Sequence, residues 1–384
     1  MNKEIIKIRI YQLQLCILLF VGWLLSRFMS RKELWLISER GHEARDNASV
    51  FYEYMKTQHP EKSIKYVISR DSKDIKRIDS DDIIDYGSLM HYIYLWRSTH
   101  QISTHICGYT PDLDQIRRIS HKLHLFTNKV RIFLQHGIIM NNLPYLYGDN
   151  IDIDMFVCGA KLEYDYVVKN FRHKPGIVKY TGLCRYDRLV DYRTRKQVLL
   201  MPTWRVYIDK ENFEDSVYFK QYAQLLTSST MHQTLSEYGY ELVFYPHYEV
   251  QRFINLFKRL PLPDNVHIAD FNNDVQSLLK ESAMLITDYS SVFFDMAYME
   301  KPLVFFPFDE KDFYSKHYSK GYFDFEKAGD VVRSVDDMVR VLREILKNGC
   351  EVNKLYKAYM DQFFVYRDTK NCQRVYNAIE NIKK

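Results

Sequence analysis

The chain has 384 residues, 46% of them hydrophobic and 27% charged, with a formal net charge of +5. That length suffices for two domains with separate cores, and the weak charge, without Lys/Arg runs interleaved with aromatics, argues against a nucleic-acid-binding protein. The six cysteines show no C-x-x-C spacing, so neither a zinc site nor a disulfide framework is indicated, and reduced thiols in a cytosolic setting are expected.

The first predicted element is an apolar run at residues 15–25, shorter than the roughly 20 residues that a membrane-spanning helix needs. Six basic residues within positions 3–32 outweigh Glu4 and Glu33, a local excess of four positive charges. Basic flanks around an apolar helix with a tryptophan predict that residues 1–30 associate with the membrane interface. A packed helix and a signal anchor stay open, whereas no small-residue cleavage site supports a cleaved signal peptide.

Short apolar runs then alternate with helical patterns. One series of runs lies at residues 34–38, 66–69, 102–106, 131–135, 155–158 and 177–181, and a second at 198–201, 242–245, 266–269, 284–287 and 303–306. This alternation is typical of parallel sheets wrapped by helices, and the polar stretch 191–196 separates the two series. We therefore predict an α/β fold of two doubly wound domains, residues 31–190 and 197–384, with a last helical stretch that packs back across them.

Ligands of doubly wound sheets bind outside the carboxyl ends of the strands, and two of these ends carry a histidine. His136 and Gly137 follow the fourth run of the first series, where an imidazole can accept a proton near neutral pH. His247 follows Tyr245 and Pro246, and the proline ends the strand and fixes the direction of the imidazole. A structural histidine is the alternative at either position.

Two further strand ends carry groups suited to phosphate. Thr203, Trp204 and Arg205 follow the first run of the second series, where Arg205 is predicted to clamp phosphate oxygens and Trp204 to offer a flat wall. Arg185 follows a glycine turn at the end of the first series. The alternative for Trp204 and Arg205 is a core tryptophan beside a surface arginine.

The stretch 283–295 is the most informative, because an apolar strand ends at Thr287 in a polar turn that opens into a helix. Ser290 and Ser291 are predicted at the helix start, where free backbone N–H groups and the Ser290 hydroxyl would bind a pyrophosphate. Asp295 lies one helical turn after Ser291, which predicts a carboxylate that accepts hydrogen bonds from ligand hydroxyls. An ordinary capped helix is the alternative.

Together, in this order, these segments resemble the CDP-glycerol glycerophosphotransferase family, the enzymes of wall teichoic acid primer and polymer synthesis. The matching pieces are residues 39–47, His136 with Gly137, Gly182 with Arg185 and Asp187, residues 202–205, Pro246 with His247, residues 287–291 with Asp295, Lys301 with Pro302, and Phe308 with Asp309. The resemblance implies two Rossmann-like domains in a GT-B-like fold and a peripheral location on the cytoplasmic face of the cell membrane.

The implied reaction transfers glycerol phosphate from CDP-glycerol to a lipid-linked or polymeric glycan acceptor, in teichoic acid or capsule-type polymer synthesis, and releases CMP. In that frame His136 matches the family's general base and His247 the histidine near the donor phosphates. Donor-contacting positions are matched by Arg185, Thr203, Trp204, Ser290 and Asp295. No cofactor is implied, apart from a loosely held Mg²⁺ that could accompany the diphosphate.

Two departures from the family pattern concern the acceptor and the local loop shape. Residues 138–140 after His136 and Gly137 read Ile-Ile-Met, and Tyr248 stands where a proline is common. Three alternatives stay open: a GT-B sugar transferase that uses a nucleotide sugar, an enzyme that uses CDP-ribitol, and an inactive membrane-attached binding protein.

Overall fold

The computed structural model describes residues 3–112, 115–116 and 128–382. Its first sheet has seven parallel strands in the order β3-β2-β1-β4-β5-β6-β7. These strands are β1 (Trp35–Ser38), β2 (Ile64–Ile68), β3 (Ile83–Asp85), β4 (His100–Ser103), β5 (Val130–Phe133), β6 (Met155–Cys158) and β7 (Val178–Tyr180).

The second sheet has six parallel strands in the order β10-β9-β8-β11-β12-β13. They are β8 (Gln197–Leu200), β9 (Glu241–Phe244), β10 (Val266–Ile268), β11 (Met284–Thr287), β12 (Leu303–Phe305) and β13 (Asp330–Val331). Every residue of β1, β6, β8, β11 and β12 is buried, as expected for parallel strands covered on both faces. The predicted α/β fold with two doubly wound sheets is confirmed.

Helices connect the strands and cover both sheets. Several begin at a serine or aspartate whose side chain accepts a hydrogen bond from a backbone N–H group of the first turn, for example Ser88, Ser216 and Ser334. The described α-helices are Lys3–Ser26, Asn47–Gln58, Leu89–Arg97, Lys161–Asn170, Val217–Thr227, Ser229–Tyr238, Ile254–Lys258, Val275–Glu281, Phe293–Tyr298, Glu310–Lys316, Phe325–Ala328, Val335–Lys347, Lys354–Asp361 and Asn371–Glu380.

Strand order reverses at one point in each sheet. The chain leaves β1 toward β2 but later returns to β4 on the other side, and β8 and β11 flank the equivalent point in the second sheet. Loops that leave such neighbouring strands diverge and open a crevice at the carboxyl ends. The two crevices therefore determine where a ligand-binding site can form.

The helix Asn371–Glu380 packs against the first sheet, although it follows the second sheet in sequence. The Tyr376 ring stacks on Trp35 and on His59, with ring centroids 6.0 and 3.7 Å apart. At the start of this helix the Asp187 carboxylate accepts hydrogen bonds from the backbone N–H groups of Asn371 and Cys372, both at 2.8 Å. These contacts join the end of the chain to the half that contains β1.

The amino-terminal helix Lys3–Ser26 lies on the helix Leu89–Arg97. Leu15 and Leu19 are buried, and a Cβ at Gly22 would come within 2.8 Å of Tyr92 Cβ, so the two helices are in close contact. Residues 7–26 form a continuous helical stretch with a mean hydropathy of 1.8, long and apolar enough to cross a membrane. The helix is therefore longer than the predicted apolar run at residues 15–25, because it extends well before residue 15.

Candidate functional site

The loops at the carboxyl ends of the two sheets face each other across a cleft. One point where they approach each other is Gly137, where an added Cβ would lie only 2.6 Å from Ser291 Oγ. A few residues further on, the backbone N–H of Asn142 donates to the carbonyl oxygen of Ser319 at 3.1 Å. A side chain at position 137 would therefore have to displace the Ser291 hydroxyl, whereas Ser291 Cβ would stay at an ordinary contact distance of 3.6 Å.

His136 projects into this cleft from the loop that follows β5. Its side chain is exposed, and its Nδ1 lies 3.3 Å from the carbonyl oxygen of Thr104. A carbonyl oxygen can only accept a hydrogen bond, so the neutral ring carries its proton on Nδ1 and leaves the Nε2 lone pair free. This is the protonation state that a general base requires.

The His136 loop is held in place by hydrogen bonds to Glu163, a residue that the sequence patterns did not single out. Its buried carboxylate accepts hydrogen bonds from the backbone N–H groups of Ile139 at 2.6 Å and Gly159 at 2.7 Å, and from Gln135 Nε2 at 3.0 Å. Burial raises the pKa of Glu163 to about 7 despite these donors. Gln135 itself has a φ of 61°, a left-handed conformation that redirects the chain toward the cleft.

Charged neighbours and burial set the protonation of His136. Desolvation by the cleft walls lowers the pKa of its imidazole most strongly, Asp46 acts in the opposite direction, and the positive charges of Arg40 and Arg185 lower it further. The net pKa lies below the ordinary histidine value, so the ring is neutral near pH 7. Arg40 was part of the predicted 39–47 segment but had no predicted role of its own.

His247 lies on the opposite side of the cleft with the other tautomer. The backbone N–H of Glu249 donates to its Nδ1 at 3.2 Å, so the neutral ring carries its proton on Nε2 and can donate a hydrogen bond. Burial lowers its pKa, the carboxylates of Asp288 and Glu249 raise it, and Arg40 lowers it. Because the Arg40 charge acts on both His136 and His247, the two imidazoles share one electrostatic environment across the cleft.

The turn after β11 presents backbone donors to the cleft. The helix begins at Phe293 after an N-cap at Val292, so the prediction that the two serines start the helix is wrong. They occupy the preceding turn instead. In the ranges 3–112, 115–116 and 128–382, the N–H groups of Ser290, Ser291 and Val292 and the Ser290 hydroxyl have no acceptor. These neutral donors suit an anion, and the side chains of Ser290 and Ser291 are half-buried.

Arg185 and Asp295, both predicted as ligand contacts, form an ion pair with each other. The guanidinium donates from Nε and Nη2 to the two Asp295 oxygens, both at 2.8 Å, and from Nη1 to Asp46 and to the carbonyl oxygen of His136, both at 2.9 Å. Asp295 is only 2% exposed. The pair therefore joins the two halves beside the cleft, and the Asp295 carboxylate has no face open to a ligand.

Arg205, predicted as a phosphate clamp, is a buried side chain that pairs with two carboxylates. Its side chain is fully buried between Asp288, at 2.9 Å from Nη1, and Asp309, which accepts from Nε at 2.7 Å and from Nη2 at 2.9 Å. Asp288 also accepts from the backbone N–H of Thr203 at 2.8 Å and of Tyr289 at 2.6 Å. This network fixes the loops after β8 and β11 relative to each other.

The remaining predicted residues divide between the cleft and the core. Trp204 packs in the core of the second half and offers no wall to a ligand. Thr287 is buried and donates to the carbonyl oxygen of Met201 at 2.7 Å. Tyr245 and Pro246 are buried beneath the His247 loop, whereas the Thr203 side chain is half-buried at the cleft. No group of three His, Cys, Asp or Glu side chains suited to a metal ion occurs in the described part of the chain.

Comparison with known proteins identifies the relatives of this chain. It is 32% identical over 367 residues to the minor teichoic acid biosynthesis protein GgaB of Bacillus subtilis (strain 168), a match that covers 91% of this chain and 40% of GgaB. It is 23% identical over 390 residues to the teichoic acid glycerol-phosphate transferase of Staphylococcus aureus (strain NCTC 8325 / PS 47), covering 93% and 95% of the two chains.

A third relative is the teichoic acid poly(glycerol phosphate) polymerase of Bacillus subtilis (strain 168), 24% identical over 381 residues, 91% of this chain and 49% of the polymerase. The chain thus spans less than half the length of GgaB and of this polymerase.

Among solved structures, a variant of the wall teichoic acid polymerase TagF superposes with a TM-score of 0.68 at 16% identity, covering 99% of this chain and 98% of that one. A TagF variant soaked with CDPG gives a TM-score of 0.67 at 15% identity, covering 97% and 94%. These likenesses show a shared fold and confirm the predicted GT-B-like arrangement. A sequence profile described as CDP-Glycerol:Poly(glycerophosphate) glycerophosphotransferase matches residues 19–381, and the chain belongs to that family.

Proposed function

We propose that this protein transfers glycerol phosphate from CDP-glycerol to a hydroxyl group of a lipid-linked or polymeric glycan acceptor in teichoic acid synthesis, with release of CMP. The observation that carries the proposal is the turn at Ser290, Ser291 and Val292, whose backbone N–H groups donate to no backbone carbonyl among the described residues and whose Ser291 hydroxyl lies beside Gly137 of the His136 loop. Three unpartnered N–H groups and a hydroxyl match the oxygens of a diphosphate.

The chemistry follows from the two tautomers. His136 Nε2 accepts the proton of the acceptor hydroxyl as its oxygen attacks the glycerol-bearing phosphorus. The bond from that phosphorus to the bridging oxygen breaks, and CMP leaves with the electron pair. His247 Nε2–H, the donors of the Ser290 turn and the exposed Arg40 stabilise the charge that grows on the phosphate oxygens. Positioning and neutral hydrogen-bond donors supply the catalysis, and no covalent intermediate is needed.

Family membership and the names of the relatives support the choice of donor and acceptor. The relatives include glycerol-phosphate transferases and polymerases, and also a poly(ribitol-phosphate) polymerase of Bacillus spizizenii (strain ATCC 23059 / NRRL B-14472 / W23), 26% identical over 238 residues. CDP-ribitol is therefore the competing donor. A polymeric glycerophosphate or a lipid-linked disaccharide primed with glycerol phosphate is the acceptor class that fits these names.

The decisive experiment measures nucleotide release with a lipid-linked glycan acceptor, as CMP from CDP-glycerol or CDP-ribitol and as UDP from a UDP-sugar. We expect nucleotide release from CDP-glycerol only. The His136→Asn variant keeps a donor for the Thr104 carbonyl and loses the base, so turnover should fall by about 10²–10⁴-fold. His267→Ala is the matched control, because His267 is exposed on β10 and pairs with Glu241. Faster turnover with CDP-ribitol or a UDP-sugar would refute the donor assignment.

Two further variants test the phosphate side of the cleft. His247→Ala removes the Nε2–H donor and Ser290→Ala removes one hydroxyl, and each should lower turnover at least about tenfold with little loss of stability. Ser315→Ala is the control for the serine, because Ser315 is exposed and donates only to the carbonyl oxygen of Asp312. Wild-type rates in folded variants would remove these groups from the mechanism.

We propose further that the amino-terminal helix attaches the protein to the cytoplasmic face of the cell membrane while lying along its surface. One side of the helix is fixed to the protein by Leu15, Leu19 and the hydrogen bond from Trp96 Nε1 to the carbonyl oxygen of Leu19 at 2.8 Å. The other side exposes a row of apolar side chains, namely Ile10, Leu13, Ile17, Phe20 and Leu24. A docked helix with one apolar face open suits in-plane insertion.

Vesicle flotation tests this attachment. Replacing Leu13, Phe20 and Leu24 together by glutamate should abolish binding to phosphatidylglycerol vesicles, because three charges would enter the apolar layer. The control triple variant introduces the same three glutamates at Val217, Leu355 and Val365, which are exposed apolar residues elsewhere on the surface. Equal flotation of the two triple variants would show that another surface binds the membrane.

A further inference from the structure

We propose that His105 is a positioning residue that holds His136 in its base tautomer and shields one face of its ring from water. The inference rests on the proposed role of His136 as the general base. His105 lies in the loop after β4, next to the Thr104 carbonyl that fixes His136. None of the sequence motifs pointed to His105.

Hydrogen bonds determine the state of His105 on both ring nitrogens. Arg40 Nε, which can only donate, lies 2.8 Å from His105 Nε2, so Nε2 must accept. The ring proton is then on Nδ1, which lies 3.0 Å from Thr104 Oγ1 and donates to it. Burial and the nearby charges of His136 and Arg40 lower the pKa of His105 to about 2. His105 is therefore a neutral ring with both nitrogens occupied.

The two imidazoles are stacked almost in parallel, with ring centroids 4.3 Å apart and an interplanar angle of 8°. Both rings are fixed through Thr104, since its carbonyl oxygen accepts from His136 Nδ1 and its hydroxyl accepts from His105 Nδ1. The stack prevents His136 from turning about its side-chain bonds and keeps Nε2 directed away from the Thr104 carbonyl. It also removes water from one ring face, which disfavours the imidazolium.

Several charges also act on His136 from the elements around it. Asp46 and Arg40 lie on the loop after β1, and Arg185 lies on the turn Cys184–Arg188. The Arg185 guanidinium donates a hydrogen bond to the carbonyl oxygen of His136. The Asp46 carboxylate accepts from Arg185 Nη1 and so offsets part of that positive charge. Asp46 and Arg185 keep their hydrogen bonds when His105 is replaced. The Arg40 side chain instead loses the acceptor that His105 Nε2 provides. A variant must therefore separate the loss of the ring face from the release of Arg40.

The pair His105→Ala and His105→Phe makes this separation. Both release Arg40, but phenylalanine keeps a flat ring against His136 and alanine opens that face to water. Histidine ring NMR titrations of the full-length protein, with the His136 signal assigned from His136→Asn, measure the pKa of His136 without substrate. We expect an increase of about 0.5–1 pH unit in His105→Ala and a wild-type value in His105→Phe.

Activity supplies the second readout. The pKa of the acid limb of kcat/KM should rise by the same amount in His105→Ala and stay unchanged in His105→Phe. In the alanine variant kcat should also fall at least about fivefold, while KM for CDP-glycerol stays unchanged. An unshifted His136 titration in a folded His105→Ala protein would overturn the proposal. If the wild type releases no CMP, the proposed function fails, and the NMR titration still decides the role of His105.

Discussion

Replacing Arg205 by leucine should strongly lower the free energy of unfolding of the second half of the protein. It should not weaken binding of a phosphate ligand. The guanidinium makes two hydrogen bonds to Asp309, an ion pair with Asp288 at 2.9 Å and a hydrogen bond to the carbonyl oxygen of Thr203 at 3.0 Å. Arg205 and Asp288 are fully buried, and Asp309 is half-buried. Its loss leaves two carboxylates uncompensated. Removing one partner of a buried ion pair costs about 3–5 kcal/mol, and two carboxylates place this variant at the upper end.

Urea unfolding at pH 7, followed by tyrosine and tryptophan fluorescence, measures that cost. The same leucine substitution in an Asp288→Asn, Asp309→Asn background should cost much less, because no buried charge is then stranded, and the difference between the two backgrounds gives the coupling energy. An Arg205→Leu protein with unchanged stability and weakened CDP-glycerol binding would refute the structural role. Arg205 would then be assigned to phosphate binding.

Acid pH gives an independent check on the same network. Burial raises the pKa of Asp309, but hydrogen bonds from Arg205 and Tyr207 outweigh it, and the net pKa lies below the ordinary carboxylate value. A carboxylate with a lowered folded pKa stabilises the protein above its unfolded pKa and loses that contribution as pH falls through the folded pKa. Unfolding free energy should therefore decrease below about pH 4 in the wild type. In Arg205→Leu the stranded carboxylate should gain stability from protonation instead.

Two further predictions concern the cleft. Gly137→Ala should lower kcat by less than about tenfold with little effect on the unfolding midpoint, because the added Cβ meets only Ser291 Oγ, at 2.6 Å, and this hydroxyl can turn to another rotamer. Steady-state CMP release and urea unfolding measure the two effects, and a larger loss of kcat would show that the Ser291 hydroxyl cannot move. The acid limb of kcat/KM should have its midpoint below the ordinary histidine pKa of about 6.5, because His136 is active when neutral and its pKa is lowered. A midpoint above about 7 would be inconsistent with a lowered pKa of His136.

The fold and the two histidines were predictable because the governing rules are local or topological. Wholly buried parallel strands form short apolar runs such as 284–287, and the carboxyl-end rule places whatever follows them, His136 and His247 included, at the crevice. The tautomers were not predictable, since each depends on one backbone group, the Thr104 carbonyl or the Glu249 N–H, whose position is set by the folded loop.

The roles of the charged residues could not be predicted for a different reason. Arg185 and Asp295 are 110 residues apart in sequence, and the same is nearly true of Arg205 and Asp309 at 104. Each side chain alone is compatible with a ligand contact, and only the tertiary fold shows that the partners satisfy each other. His105 was missed because the predicted apolar run extends to residue 106 and includes it, whereas the strand ends at Ser103.

The use of these arginines in structural pairs has a consequence for how the cleft handles a diphosphate. Arg185 and Arg205 are neutralised by carboxylates, so the groups that face the cleft are mainly neutral donors: three backbone N–H groups, a serine hydroxyl and His247 Nε2–H. Arg40 adds an exposed positive charge between the two histidines. Neutral donors held rigidly by buried ion pairs need no reorganisation when charge develops on the bridging oxygen, and they bind the departing nucleotide less tightly than several free cations would. If the protein has the proposed activity, the buried pairs contribute to it by fixing the positions of the donors.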